Sequence, residues 1–227
     1  MIISHRHQFL FFAVPKTGTH AVREALREHM GDEDLEQAGL FVKKRLPFPE
    51  FDGVPHGHLT TQMIRPVLGD DMFERYFKFA FVRNPFDRFV SFCAFMSRET
   101  GEFERTPTAF MKHVIRDVRP FQHVLFVPQH FFLVDAQGKL DIDYVARTET
   151  MQSSYDAICA RIGIPSRPLE RVNASRHAPW WTYYDDELIA LVGNLYQRDL
   201  ELFGYRFEYH ASRESAQDSI DPLPRPA

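Results

Sequence analysis

Cysteine is scarce in this 227-residue chain, and the two copies, Cys93 and Cys159, stand in apolar, helix-like contexts with no CxxC pair or Cys/His ligand spacing around them. That pattern favours two free, buried thiols over a disulfide and gives no zinc-binding framework. No apolar stretch approaches the roughly 20 residues that a membrane-spanning helix requires. No secretory leader is expected either, because residues 1–7 lead within a few positions into an apolar run. The chain as given is therefore expected to be cytoplasmic, although a lumenal domain trimmed of its leader would look the same. Positive charge is not in excess either: Lys and Arg number 27 against 31 Asp and Glu, for a formal net charge of -4. This argues against a surface built to hold nucleic acid while permitting a local basic pocket.

What is present reads as one globular domain over residues 1–210, since 44% of the residues are hydrophobic and 26% charged. The polar, proline-rich segment 211–227 is expected to be a disordered tail. Phenylalanine is abundant, with 22 copies, and falls mostly in runs that suit buried strands. Residues 8–14 (QFLFFAV) form one such run. From Thr19 onward the period changes, and Ala21, Val22, Ala25, Leu26 and Met30 recur at helical spacing.

Residues 76–82 (YFKFAFV) form a second run, ending in a proline-marked turn and a helix over 85–98. Further helices are expected at 60–68, 70–75, 108–118, 150–162 and 185–203. Short strands are expected at 130–134 and 143–146, with a turn at 136–139. Residues 31–55 look like a charged surface excursion, whose basic run Lys43, Lys44, Arg45 is either a solvated face or a contact to an anionic acceptor. Strands alternating with helices define an α/β fold, a three-layer sandwich with a central, mainly parallel sheet.

Two strand ends carry the chemistry. The first is followed by PKTGTH, residues 15–20, leading into a helix. Backbone N–H groups at the positive end of a helix, with Lys16 beside them, bind a phosphate-like anion. The lysine precedes the glycine and the spacing is short, so this is not the GxxxxGK[ST] loop of nucleoside triphosphatases. Taken alone, it is also compatible with an ordinary turn carrying an exposed lysine. The second strand ends in VRNPFDRFVS, residues 82–91, where Arg83 can reach a second phosphate. Arg88 has a structural alternative, an ion pair with Asp87 or Glu74.

Together these two segments resemble the PAPS-dependent sulfotransferases, in particular the carbohydrate and heparan-sulfate branch, where PAPS is 3′-phosphoadenosine 5′-phosphosulfate. The resemblance implies a P-loop-like fold in which Pro15, Lys16, Thr17, Gly18, Thr19 and His20 hold the 5′-phosphosulfate, and Arg83 and Ser91 hold the 3′-phosphate. His20 departs from the serine or threonine of many relatives, which puts a side-chain hydroxyl contact there in doubt. The segment VPHGHLT, residues 54–60, resembles the HGH of heparan 2-O-sulfotransferases, where a histidine is the catalytic base.

His58 is favoured as that base over His56, with Asp52 a weaker competitor. Downstream, VARTETM, VNASRH and YQRDLELFGY also fit the family. They place Ser175 and Arg176, with Asn173, near the donor unless they serve as cap or surface. The expectation is thus sulfuryl transfer from PAPS, with PAP as product and no metal, to a hydroxyl acceptor that is a glycan or glycoconjugate. The alternatives are a P-loop-type phosphotransferase, which should show GK[ST] and a strand-terminal acid for magnesium, and a PAPS/PAP-binding module without catalysis.

Overall fold

A computed structural model of the protein describes residues 1–39, 43–169 and 178–208. Among these residues five strands form one sheet: β1 (Ile2–Ser4), β2 (Phe9–Phe12), β3 (Leu35–Glu36), β4 (Phe77–Val82) and β5 (Tyr144–Arg147), in the order β3-β1-β2-β4-β5. β2 pairs in parallel with β4, and β4 with β5; β1 lies antiparallel to β2 and β3, so it alone opposes the common direction. The helices are α1 (Thr19–Arg27), α2 (Thr61–Leu68), α3 (Asp70–Arg75), α4 (Pro85–Met96), α5 (Glu102–Arg105), α6 (Pro107–His113), α7 (Met151–Ile162), α8 (Asp186–Leu195) and α9 (Gln197–Phe203). This is the expected α/β architecture.

The phenylalanine runs explain the layering. Successive strand side chains point to opposite faces. Phe9, Phe11, Phe79 and Phe81 pack with Val22 and Ala25 of α1 and with Tyr155 and Ile158 of α7. Leu10, Phe12, Ala80 and Val82 pack on the other face with Ile64 of α2, Phe73 of α3 and Phe203 of α9. Both faces are covered, which is why β2 is apolar throughout and β4 is broken only by the buried Lys78, whose ammonium donates to the carbonyls of Phe73 and Tyr76 and pairs with Asp143 at 3.2 Å. Each such side chain contributes about 1.5–3 kcal/mol of burial before chain entropy is set against it. A third cluster joins Phe86, Phe89 and Cys93 of α4 to Met111 of α6 and to Leu188 and Val192 of α8. Cys93 and Cys159 are free and buried, as expected.

Several local expectations are corrected. Residues 31–55 are not merely a surface excursion, because Leu35–Glu36 joins the sheet and the Gln37 side chain ties Val54 and Leu46 to it. Two residues of strand are too few to show alternation, and β1, with three, escaped notice through the same shortness. Lys44 reaches the buried Glu36 at 3.4 Å, and Arg45 donates to the carbonyls of Asp52 and Val54.

The strand expected at 130–134 is a 3₁₀ turn, Gln129–Phe132, with only Val134 bridging to Leu140. The Asp199 carboxylate accepts the N–H groups of Gln129 and His130 there and starts a turn instead of a ladder. The single helix expected over 185–203 breaks at Tyr196, where the buried ring is pinned by its hydroxyl to the Phe126 carbonyl. The helix expected over 108–118 widens into a π turn at Val114–Val118.

Candidate active site

Because β2 and β4 are neighbours and parallel, the loops that follow them lie side by side at one end of the sheet. The first loop is anchored by its oxygens. Arg88 Nε donates to the Pro15 carbonyl at 3.0 Å, Thr17 Oγ1 to the Val14 carbonyl at 3.0 Å, and Thr148 Oγ1 to the Thr17 carbonyl at 3.0 Å. Lys16 (φ 65) and Gly18 (φ 74) are left-handed, a conformation that turns successive peptides into an anion-binding concavity. A side chain at Gly18 would be strained and would also run into the terminal methyl of Met151. α1 then starts with no side-chain cap and no acidic residue in its first turn, so its positive end is not neutralised from within.

The role expected of each loop residue follows from these bonds. Pro15 has no N–H, and its carbonyl is engaged, so it shapes the loop. Thr17 is buried with its hydroxyl donated inward, which leaves its backbone as the part able to meet a ligand. Thr19 is buried at the start of α1, and His20 lies 3.2 Å from Glu24 on the same helix. Lys16 Nζ rests 4.3 Å above the ring of Phe95, and the Arg98 guanidinium sits 4.2 Å from the same ring. Burial, then repulsion from Arg83, Arg88 and Arg98, pulls the Lys16 ammonium down to about 8. Such a concentration of positive charge is stabilised by an anion bound among these groups.

In the second loop Arg83 is partly buried and forked onto Asp87, Nε to Oδ2 at 2.6 Å and Nη2 to Oδ1 at 2.7 Å. Its Nη1 lies 3.4 Å from the Lys16 carbonyl, so the two loops touch. Arg88 does not pair with Asp87 or Glu74, contrary to the expected alternative. It is sealed in the core, 1% exposed, and spends its donors on the carbonyls of Pro15, Leu125 and Val127. Glu74 pairs with Arg65 instead. Ser91 is buried on α4 one turn before Phe95, which places it on the helix face turned toward Lys16.

The HGH segment reaches the same end of the sheet. Gly57 is buried against the Gln37 carbonyl so closely that a Cβ would overlap it, which explains the glycine between the two histidines. His58 Nδ1 lies 2.6 Å from the carbonyl of Ala13, the residue two before Pro15. A carbonyl can only accept, so Nδ1 carries the proton and Nε2 keeps the lone pair. Burial pulls His58 down to about 3, partly opposed by that hydrogen bond. His56 stands 5.7 Å away, ring centre to ring centre, and is lowered chiefly by burial. Its Nδ1 faces the His58 N–H at 3.4 Å, so in the neutral ring the accepting nitrogen is turned to the backbone.

The structure therefore gathers Lys16, Gly18, Arg83, Ser91 and His58 around one end of β2 and β4. Asn173, Ser175 and Arg176 lie outside the described residues, as does the 211–227 tail. Among the described residues no group of three or more His, Cys, Asp or Glu is arranged to hold a metal ion, and no helix is long and apolar enough to cross a membrane. Sequence reasoning missed Phe95, Thr148 and Gln129. Nothing in their local spacing marks them, because each acts across more than 40 residues of chain or from a helix face already read as core.

The chain belongs to the sulfotransferase family, whose sequence model matches residues 1–206. It is accordingly an enzyme of the class that takes a sulfuryl group from PAPS. A search of curated proteins finds no match to the sequence. Among solved structures the fold is similar to that of mouse sulfotransferase SULT7A1 complexed with PAP, with a TM-score of 0.50 at 16% identity, covering 90% of this chain and 91% of that one. At that identity the likeness is one of fold.

Proposed function

We propose that the enzyme transfers the sulfuryl group to a hydroxyl of a carbohydrate, with His58 as general base. The observation that supports this reading is the Ala13–His58 hydrogen bond, which leaves Nε2 as the proton acceptor on a ring tied to the strand that feeds the Lys16 loop. PAPS supplies the sulfuryl group and leaves as PAP. Lys16 and the first N–H groups of α1 meet the 5′-phosphosulfate, and Lys16 carries the charge that develops on the bridging oxygen as its bond to sulfur breaks. Arg83, released from Asp87, and Ser91 meet the 3′-phosphate. The acceptor hydroxyl gives its proton to His58 Nε2 as its oxygen bonds to sulfur.

A histidine held near 3 is neutral at physiological pH, so it is always in the accepting form but is a weak base. Negative charge gathered beside it on donor binding raises its proton affinity, which couples base strength to a loaded site. The carbohydrate class rests on the HGH segment and the branch it resembles.

His58→Ala should lower turnover roughly 10²–10⁴-fold while PAP affinity, measured by calorimetry, stays near the parent's. Near-parental turnover with saturating substrates would remove His58 and make His56 the next candidate. An acceptor panel with sulfur-labelled PAPS, read by product mass, tests the class. Labelled phenols or steroids with unlabelled glycans would overturn it.

A further inference from the structure

We infer that Gln129, itself held by Asp199, is a positioning residue for donor recognition, fixing the backbone of Arg83 so that its guanidinium meets the 3′-phosphate. This rests on the reading of Arg83 as the 3′-phosphate ligand. Gln129 is fully buried, with 0% exposure, and both ends of its amide are spent on one residue. Its Oε1 accepts the Arg83 N–H at 2.9 Å, and its Nε2 donates to the Arg83 carbonyl at 2.9 Å. Arg83 is the first residue beyond β4, whose parallel pairing with β5 ends at Val82 and Arg147. The glutamine side chain thus replaces the missing strand neighbour and extends the ladder by one residue.

Gln129 is fixed in turn. Its N–H donates to Asp199 Oδ2 at 2.7 Å, while Oδ1 accepts the His130 N–H at 2.8 Å and faces His130 Nδ1 at 2.7 Å. Asp199 is 0% exposed, and a carboxylate at that depth persists only when its oxygens are filled by donors, as these are. A chain of hydrogen bonds therefore runs from α9 through Gln129 to Arg83, made by residues that the reading leaves out of contact with the donor.

An apolar residue would fill the space of Gln129 equally well. It would leave the Arg83 N–H and carbonyl unpaired, and the peptide free to rotate. A guanidinium stands several bonds from its Cα, so a small rotation there moves it out of register with a phosphate. Orientation, more than packing, is what the amide supplies.

The test is the ratio of affinities for PAP and for 5′-AMP, which lacks the 3′-phosphate, measured by calorimetry on the full chain. Arg83→Ala should lower the ratio the most, leaving only what Ser91 contributes. Gln129→Met should lower it roughly tenfold with 5′-AMP affinity retained. Asp199→Asn, which keeps the shape but leaves one acceptor oxygen for the N–H groups of both Gln129 and His130, should lower it in the same direction. It decides the matter if Gln129→Met does not fold. If Arg83→Ala leaves the ratio unchanged, the reading of Arg83 fails and the proposal with it. If Arg83→Ala collapses the ratio while the folded Gln129 and Asp199 variants keep it, or lose both ligands equally, Gln129 is structural only and the positioning role is overturned.

Discussion

The units β2–α1 and β4–α4 lie side by side on the same plan, strand, tight loop, helix, yet they treat the start of the helix in opposite ways. α1 begins with a left-handed glycine, no side-chain cap and no acid in its first turn. α4 begins with Asn84, whose side chain accepts the Phe86 N–H, then Pro85, which has no N–H to satisfy, and Asp87, which also neutralises Arg83. One helix end is left to be completed by an outside anion, and the other is complete within the protein. Equal helix dipoles therefore do not make equal sites. Under the proposed function, the first unit meets the phosphosulfate with its backbone, and the second offers a side chain that must first leave an internal partner.

Giving α1 what α4 has should erase the difference and produce the largest effect. His20→Asp places a carboxylate in the first turn of α1, and PAP affinity should fall at least about a hundredfold, about 2.7 kcal/mol. A loss of less than about threefold by calorimetry would mean that the anion does not sit there.

Proton control is the next largest effect. Only protonated Lys16 attracts the donor, and its free value near 8 lies below the value it takes beside a bound anion. PAP affinity is therefore full below about pH 8 and weakens as pH rises through it, by up to about tenfold per unit. The slope should disappear in Lys16→Arg, which stays protonated. A flat parent profile between about pH 7 and about pH 9.5 would break the assignment.

The smallest effect belongs to the self-satisfied unit. Asp87→Asn frees Arg83 from its fork and removes a negative charge, so PAP should bind roughly threefold more tightly while α4 loses about 0.3–1 kcal/mol of dipole stabilisation. Weaker PAP binding would show that Asp87 orients Arg83 for the phosphate instead of competing with it.

Much of this was legible in the chain. The two phenylalanine-rich strands, the turn-to-helix switch after each and the PKTGTH loop are local features, and local periodicity and turn chemistry are carried by a few adjacent residues. The fate of Arg83 and Arg88 was not legible. They stand five residues apart, Arg83 just past β4 and Arg88 on α4, and only packing reveals that Arg88 faces the carbonyls of Pro15, Leu125 and Val127 while Arg83 takes Asp87. The short strands β1 and β3 were equally hidden, because pairing between Ile2 and Glu36 is a long-range event that so few residues cannot announce.

The sequence by itself determined the α/β class, the two strand ends where ligands gather and the residue types offered to an anion, since each follows from neighbours along the chain. Tertiary structure decided which nitrogen of His58 keeps its lone pair and which arginine is sealed into the core. It also decided that a glutamine 46 residues downstream clamps the backbone of Arg83. Those outcomes depend on which carbonyls and carboxylates approach across the fold, and hydrogen-bond partners so distant in the chain leave no periodic trace in it.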